Sequence, residues 1–430
     1  MNHRISIFKR ILYTFLAFVL LVSQPMSSMQ MIAYATEVEN TLQEFEENSA
    51  EAMSVSEDTS SETAVEEENI EIAEEGAKIE DNGSRLIVTG FASDAKLQWY
   101  RCDTEEGEYV AIEGATDTKY DLTEDDSNKF IRAGKVGEGD KPSTWTDPVK
   151  KGNVYVFDLA NGNIEFNSNC TYYDDSKTQK SVVHEVGNIY VVMQTGSETT
   201  STENGITFKG QFANDDLVFD VTIDGLNILA HLEKEKLPNS SYTAVYSSGN
   251  INILGESNKH VVLRLKGDNS IRNLHYDTHS NRTSSLKITS INGDGDVSGG
   301  ALYVPKKFID DEDLMTYVNS KNTYNHWNSG IGGDDSGGVV TGLEIAGGFV
   351  QSVTSYGDNC SAIGGGGNDH CQMKITGGKV RAICNGTGAA IGGGIGWNSA
   401  GGTSDIEISG GEVYAYNYGN IYLKGTSFVK

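Results

Sequence analysis

A six-residue phrase recurs in the last third of this 430-residue chain, and its spacing restricts the fold more than any other feature. Leu343-Glu344-Ile345-Ala346-Gly347-Gly348 returns as Met373-Lys374-Ile375-Thr376-Gly377-Gly378 after 30 residues, and as Ile406-Glu407-Ile408-Ser409-Gly410-Gly411 after a further 33. A second phrase runs out of phase with the first. Ser361-Ala362-Ile363-Gly364-Gly365-Gly366 is followed 28 residues later by Ala389-Ala390-Ile391-Gly392-Gly393-Gly394, and Gly330-Ile331-Gly332-Gly333 is a degenerate copy upstream. A period of this size marks units that bury their apolar faces only against their neighbours.

One unit holds three short strands, around Met373 and Ile375, over 379–383 and over 389–391. The turns between them lack the paired signals of tight hairpins, so a meander is excluded. Strands this short can instead stack, like over like, in a three-sided parallel coil. Glycine at the corners supplies positive φ and lets successive coils approach closely. The spacing therefore predicts a solenoid over 153–430, a right-handed parallel β-helix with inward columns of Ile, Val, Leu and Ala. Upstream, Phe219-Asp220-Val221-Thr222-Ile223-Asp224-Gly225, residues 250–254, Val261-Val262-Leu263-Arg264-Leu265-Lys266-Gly267 and Leu286-Lys287-Ile288-Thr289 keep the same texture. From Val261 onward the chain resembles the glycine-rich β-helical region of secreted surface proteins of anaerobic Gram-positive bacteria. That resemblance covers roughly 206–418 and implies carbohydrate binding or adhesion. The stretch 310–327, with Tyr317, Tyr324, His326 and Trp327, breaks the pattern and reads as a loop or short helix on the side of the coil, where insertions often reach the binding face. The sequence ends at Lys430, one incomplete coil after the last repeat. Either the last residues cap the coil in an unusual way, or the sequence is part of a longer chain.

The other end carries Arg4, Lys9 and Arg10, an apolar run over 11–22, and the small-x-small signature Ala33-Tyr34-Ala35. This pattern predicts a signal peptide over 1–35, because the apolar run is too short to span a bilayer. The protein is thus expected outside the cell, secreted or surface-associated, with no membrane contact after cleavage. Residues 36–81 then carry seventeen Asp and Glu against one Lys, a net −16 of the whole chain's −28. Such a stretch cannot offset its ordering entropy, which predicts a disordered acidic linker over 36–82. The remainder is still acidic, which argues against nucleic acid and anionic membranes as partners.

Between linker and repeats, 83–150 reads as several short alternating strands, the pattern of a small β-sandwich. Leu97-Gln98-Trp99-Tyr100-Arg101, Ile112-Glu113-Gly114-Ala115-Thr116, Tyr120-Asp121-Leu122-Thr123 and Phe130-Ile131-Arg132 resemble the bacterial immunoglobulin-like modules of Gram-positive surface proteins. The resemblance implies a core tryptophan at Trp99, a packed strand residue at Tyr120 and a spacer role. No cysteine pair brackets Trp99. The chain's five cysteines, at 102, 170, 360, 371 and 384, are an odd set without zinc spacing, and buried thiols are the expectation. The fold class expected is all-β throughout.

Candidate chemistry is sparse. The run Gly364 to Gly367 lacks the Lys-Ser/Thr and the helix of a phosphate loop. With Asn368-Asp369 it matches half of a calcium-binding nonapeptide, and Asp334, Asp335 and Asp369 are the candidate ligands; Asn292-Gly293-Asp294-Gly295-Asp296 is a further acidic turn. No cofactor is expected, and calcium is the one candidate with ligands to name. The same carboxylates with His370 would be the place for polysaccharide lyase or glycoside hydrolase chemistry, but the Arg-x-Lys run and Gly-His-Gly turn of pectin-cleaving enzymes are missing. Tyr414, Tyr416 and Tyr418 alternate, so on a strand all three share one face, with Val413 and Ala415 pointing inward. Trp397 in the preceding loop could extend that platform, and exposed rings of this kind stack on sugars. The expected role is non-catalytic binding of a polysaccharide or host glycan. The alternatives are the enzyme and a structural surface spacer.

Overall fold

The computed structural model describes residues 76–137, 142–167, 170–174, 181–208, 218–228, 232–236, 243–247, 250–253, 260–276, 284–319, 329–333, 339–354, 360–367, 370–394 and 402–418. The expected signal peptide and nearly all of the acidic linker lie outside these residues. No helix among the described residues is long and apolar enough to cross a membrane.

From Val154 onward the chain passes in rotation over three sheet faces, and almost every returning strand pairs in parallel with its counterpart from the pass before. The first face is built from Val154–Asp158, Ile189–Met193, Val218–Asp224, the start of His260–Ile271, Ser285–Ser290, Val339–Ile345, His370–Ile375 and Ser404–Ile408. The second takes Asn227–Ile228, the end of His260–Ile271, Gly300–Val304, Phe349–Val353, Lys379–Cys384 and Glu412–Asn417. The third takes Asn163–Phe166, Ile206–Phe208, Ile251–Ile253, Leu274–Tyr276, Ile331–Gly332, Ile363–Gly364 and Ile391–Gly392. Because the strand His260–Ile271 bends from the first face to the second, these two form one thirteen-stranded, curled parallel sheet.

The register makes the inward columns explicit. On the first face Val221, Leu263, Ile288, Ile345, Ile375 and Ile408 stack in line. On the second, Leu302, Val350, Val380 and Val413 do the same. All are fully buried except the two in the last pass, Ile408 and Val413, which pack on the core from one side. Both glycine phrases serve the stacking. Gly378 has φ +78, and a Cβ there would lie 2.8 Å from the carbonyl oxygen of Gly348 in the preceding pass. Gly364 has φ +126, and its Cβ would lie 2.2 Å from Gly392 O in the pass that follows. Positive φ and close backbone approach thus coincide, which only glycine meets.

The parallel pattern begins at Val154, at the start of the span 153–430 expected for the coil. At the start of the third face an antiparallel pair, Cys170–Asp174 with Ser181–Val183, covers the edge. The interruption after Ile309 is a helix, Asp311–Asn319. Asp310 accepts from the Asp313 backbone N–H (2.8 Å) and Asp313 accepts from Ile309 N–H (3.1 Å), a reciprocal arrangement that starts the helix. At its other end Asn385 Nδ2 donates to Val318 O at 2.7 Å, occupying a carbonyl that has no partner within the helix.

Ahead of the coil stand two antiparallel sheets. One has three strands, Lys78–Asn82, Arg85–Thr89 and Lys119–Asp121. The other has five, Leu97–Cys102, Val110–Ala111, Phe130–Val136, Pro142–Trp145 and Val149–Lys150. They share one core in which Trp99 is fully buried and stacks on Tyr120 at 5.6 Å. The strand Lys78–Asn82 corrects the expected linker boundary at 82. A two-residue turn with Gly83 at φ +70 folds it back on Arg85–Thr89, which is the turn geometry that needs glycine first. Asp81, one of the linker's acidic residues, holds the buried Lys151 with both carboxylate oxygens at 2.6 and 2.7 Å.

These sheets and the coil are one body. The core around Trp99 includes Val154 and Ile189, the first residues of the coil's first two strands. Ser127 Oγ and Glu124 Oε1 accept the backbone N–H groups of Val154 and Val156 on the edge strand, each at 3.0 Å. Across the outer side of the first face, Asp121 bridges Arg85 (2.5 Å) and Lys266 (3.0 Å), and Lys266 also meets Asp224 at 2.9 Å. Arg85 Nη1 donates to Asn292 Oδ1 at 2.9 Å, and the hydroxyls of Ser84 and Thr222 share a hydrogen bond at 2.7 Å. Burial alone would raise the Asp121 carboxyl, yet the hydrogen bonds and charges of Arg85 and Lys266 outweigh it and hold it below the ordinary carboxylate range.

None of the five cysteines is in a disulfide. Cys360, Cys371 and Cys384 are buried as expected, whereas Cys102 and Cys170 are half-buried. Cys371 lies on the first face and Cys384 on the second.

Candidate functional site

The outward side of the second face is where the expected tyrosines fall. Strand Glu412–Asn417 sits in register on Lys379–Cys384, with Tyr414 opposite Arg381 and Tyr416 opposite Ile383. Val413 and Ala415 lie beside Val380 and Ala382 on the inward side, although Ala415 stays exposed at the edge of the last pass. The Tyr418 N–H extends the ladder by donating to Cys384 O at 2.8 Å. Tyr414, Tyr416 and Tyr418 are 41%, 42% and 52% exposed. Tyr416 and Tyr418 stack at 6.4 Å between centroids, 18° from parallel.

Charged groups frame this row. Lys379 lies 5.4 Å from the Tyr414 ring centroid and pairs with Glu412 at 3.1 Å, while the Tyr414 hydroxyl donates to Glu412 Oε2 at 3.2 Å. The hydrogen bond to Glu412 holds the Lys379 ammonium above its ordinary value, and the same bond holds Glu412 below its own. Arg381 meets Asp311 at 3.4 Å. Flat apolar faces with N–H and O–H groups at their rim are the chemistry that takes a sugar ring.

The helix Asp311–Asn319 belongs to the same face. Its Leu314 and Val318 pack on Val353 and Ile383, and Tyr416 is the next residue in that outward row. The sequence shows the helical interruption and the tyrosines as separate features a hundred residues apart. Coil register brings them together, and only a count of residues per pass could have revealed it.

The remaining candidates fare differently. Trp397, Asp334, Asp335 and Asp369 lie outside the described residues. Among the described residues no group of three or more His, Cys, Asp or Glu is arranged to hold a metal. In the turn 292–296 the carboxylates are occupied by protein donors. Asp296 Oδ1 accepts from Ser290 Oγ (2.7 Å), Ser298 N–H (2.9 Å) and Gly299 N–H (2.8 Å), and Asp294 takes Lys287 (2.5 Å) and Thr289 (2.8 Å). That turn is a corner brace. The exposed His370 accepts at Nδ1 from the Thr403 N–H at 3.2 Å.

No protein-family model, curated protein or solved structure matches the chain.

Proposed function

We propose that the chain is an exported, non-catalytic binding protein, in which an immunoglobulin-like sandwich heads a right-handed parallel β-helix that binds a neutral polysaccharide or host glycan. The observation that carries this reading is the row Tyr414, Tyr416 and Tyr418, exposed on one outward face beside the helix Asp311–Asn319. Stacking supplies affinity with little loss of freedom, because a tyrosine has few rotatable bonds to fix. The rim residues Lys379 and Arg381 supply orientation. The acidic linker and the N-terminal leader pattern are consistent with display away from a cell surface.

The test is binding of the full chain to a broad glycan panel, repeated with Tyr414→Ala/Tyr416→Ala. Each stacked ring contributes roughly 0.5–1.5 kcal/mol, so the double variant should weaken binding by about tenfold or more. A glycan bound equally by both proteins, or no glycan bound at all, would remove the basis for the proposal.

A further inference from the structure

The outer side of the five-stranded sheet carries a second cluster. Tyr100 stands opposite Arg132 in the ladder, and Trp145 stands opposite Gly134. A Cβ on Gly134 would come within 3.1 Å of two ring carbons of Trp145, so the glycine lets the indole lie against the strand. The Arg132 guanidinium carbon is 3.7 Å from the ring centroids of both Tyr109 and Trp145, and Tyr100 meets Trp145 edge-on at 4.7 Å. Two aromatic rings therefore flank the guanidinium, and its N–H groups remain for hydrogen bonding.

Those groups are unused. Arg132 Nε is buried without a hydrogen-bond partner, and the guanidinium forms no ion pair or hydrogen bond among the described residues. Arg85, Arg101, Arg264 and Arg381 each pair with an aspartate. An aromatic-clamped arginine without an acceptor is anomalous on a chain of net charge −28. Beside Tyr100 a hollow opens between Lys96, Gln98, Ala111 and Thr116, and Lys150 lies over Phe130 on the same side at 5.3 Å.

We infer that this side of the sandwich is a ligand site separate from the tyrosine row, and that it takes a sugar bearing a single carboxylate. The fork of Arg132 matches the two carboxylate oxygens, and its position is fixed in advance by the flanking rings. The hollow beside Tyr100, which Arg132 itself does not line, gives room for the pyranose; Gln98 Nε2 at its wall already donates to Trp99 O (2.9 Å) and Ile112 O (2.6 Å), which leaves its Oε1 as the acceptor.

The experiment is calorimetric titration of the full chain with a glucuronic-acid-bearing oligosaccharide and with its methyl ester, which keeps the rings and removes the charge. The acid form should bind at least tenfold more tightly than the ester. Arg132→Gln should lose at least tenfold for the acid form, Arg132→Lys should lose less, and Tyr414→Ala/Tyr416→Ala should leave that affinity within twofold. Equal affinity for acid and ester, or an unchanged Arg132→Gln protein, overturns the inference. So does absence of binding at millimolar acid, or loss only in the tyrosine variant. Should Arg132→Gln fail to fold, the acid–ester comparison on the unaltered chain still decides. Failure of the tyrosine variant on neutral glycans bears on the other face alone.

Discussion

Asp121→Ala tests whether the sandwich and the coil are one cooperative body. Among the described residues, Asp121 is the one acceptor common to Arg85 on its own module and Lys266 on the coil, at 2.5 and 3.0 Å. Removing one member of a fully buried pair typically costs about 3–5 kcal/mol, because the remaining charge is left without compensation. Here the cost is smaller. The Asp121 side chain is 39% exposed, Lys266 is 30% exposed and keeps Asp224, and Arg85 keeps Asn292. About 1–2 kcal/mol is expected after that discount for solvent and surviving partners. At about 2–4 °C per kcal/mol, the melting transition should fall by several degrees in scanning calorimetry. The location of the effect matters more than its size. Because Val154 and Ile189 belong to the core around Trp99, amide exchange should quicken in Val154–Asp158 and Ile189–Met193 as well as in the sandwich strands. Two separate melting transitions, with unchanged exchange in those coil strands, would refute the argument.

Three further outcomes follow from the same contacts. Asp121, Asp294 and Asp296 are all held below the ordinary carboxylate range; burial would raise each, but hydrogen bonds from Arg85 and Lys266, from Lys287 and Thr289, and from Ser290 and Gly299 outweigh it. A carboxylate lowered on folding contributes stability that is complete above its unfolded value near ~4 and is lost as pH falls through the folded value, so the melting temperature should hold from pH 7 to about 5 and drop below about 4. Ile375→Ala, fully buried between Ile345 and Ile408, should cost about 3 kcal/mol in urea unfolding. The half-covered Ile408→Ala should cost nearer 1 kcal/mol, and equal costs would contradict the stacking order. Gly187→Ala meets nothing within 4 Å and carries only the penalty of its φ of +86, about 1–2 kcal/mol. Gly378→Ala adds a Cβ 2.8 Å from Gly348 O and should be worse by at least about 1 kcal/mol by the same measurement.

How far the chain could be read in advance depended on how local each signal was. Glycine corners and alternating Ile and Val are local, and the strands His370–Ile375 and Lys379–Cys384 lie where the repeat puts them. The tyrosine row was legible for the same reason, since a period of two fixes a side without knowledge of partners. Lys78–Asn82 was not, because its acidic texture continues the linker and its pairing depends on one turn at Gly83. His260–Ile271 reads as ending at Gly267, yet it runs on around the corner. Asn269, fully buried there, makes up for the interrupted ladder by accepting from Leu226 N–H at 3.0 Å and donating to Lys266 O at 3.0 Å and Ala301 O at 3.1 Å. Contacts across long separations, such as Ser84 with Thr222 or Arg85 with Asn292, have no sequence signature at all.

The junction also changes what the sandwich can be. A spacer joined by a loose tether would add reach and leave each binding face to act alone. A module that shares a core with the coil cannot swing, so its Arg132 cluster and the tyrosine row keep one mutual orientation. Two sites in one rigid body raise the effective concentration of the second for any ligand long enough to span them, and give nothing to a ligand too short to do so. If both proposed sites hold, a long glycan carrying neutral and acidic sugars should bind more tightly than either fragment alone. Asp121→Ala, which loosens the junction and touches neither site, should then weaken the long glycan and leave both short ones unaffected. A long glycan bound no better than its fragments would mean that the two faces point apart, and the rigidity of the junction would then serve stability alone.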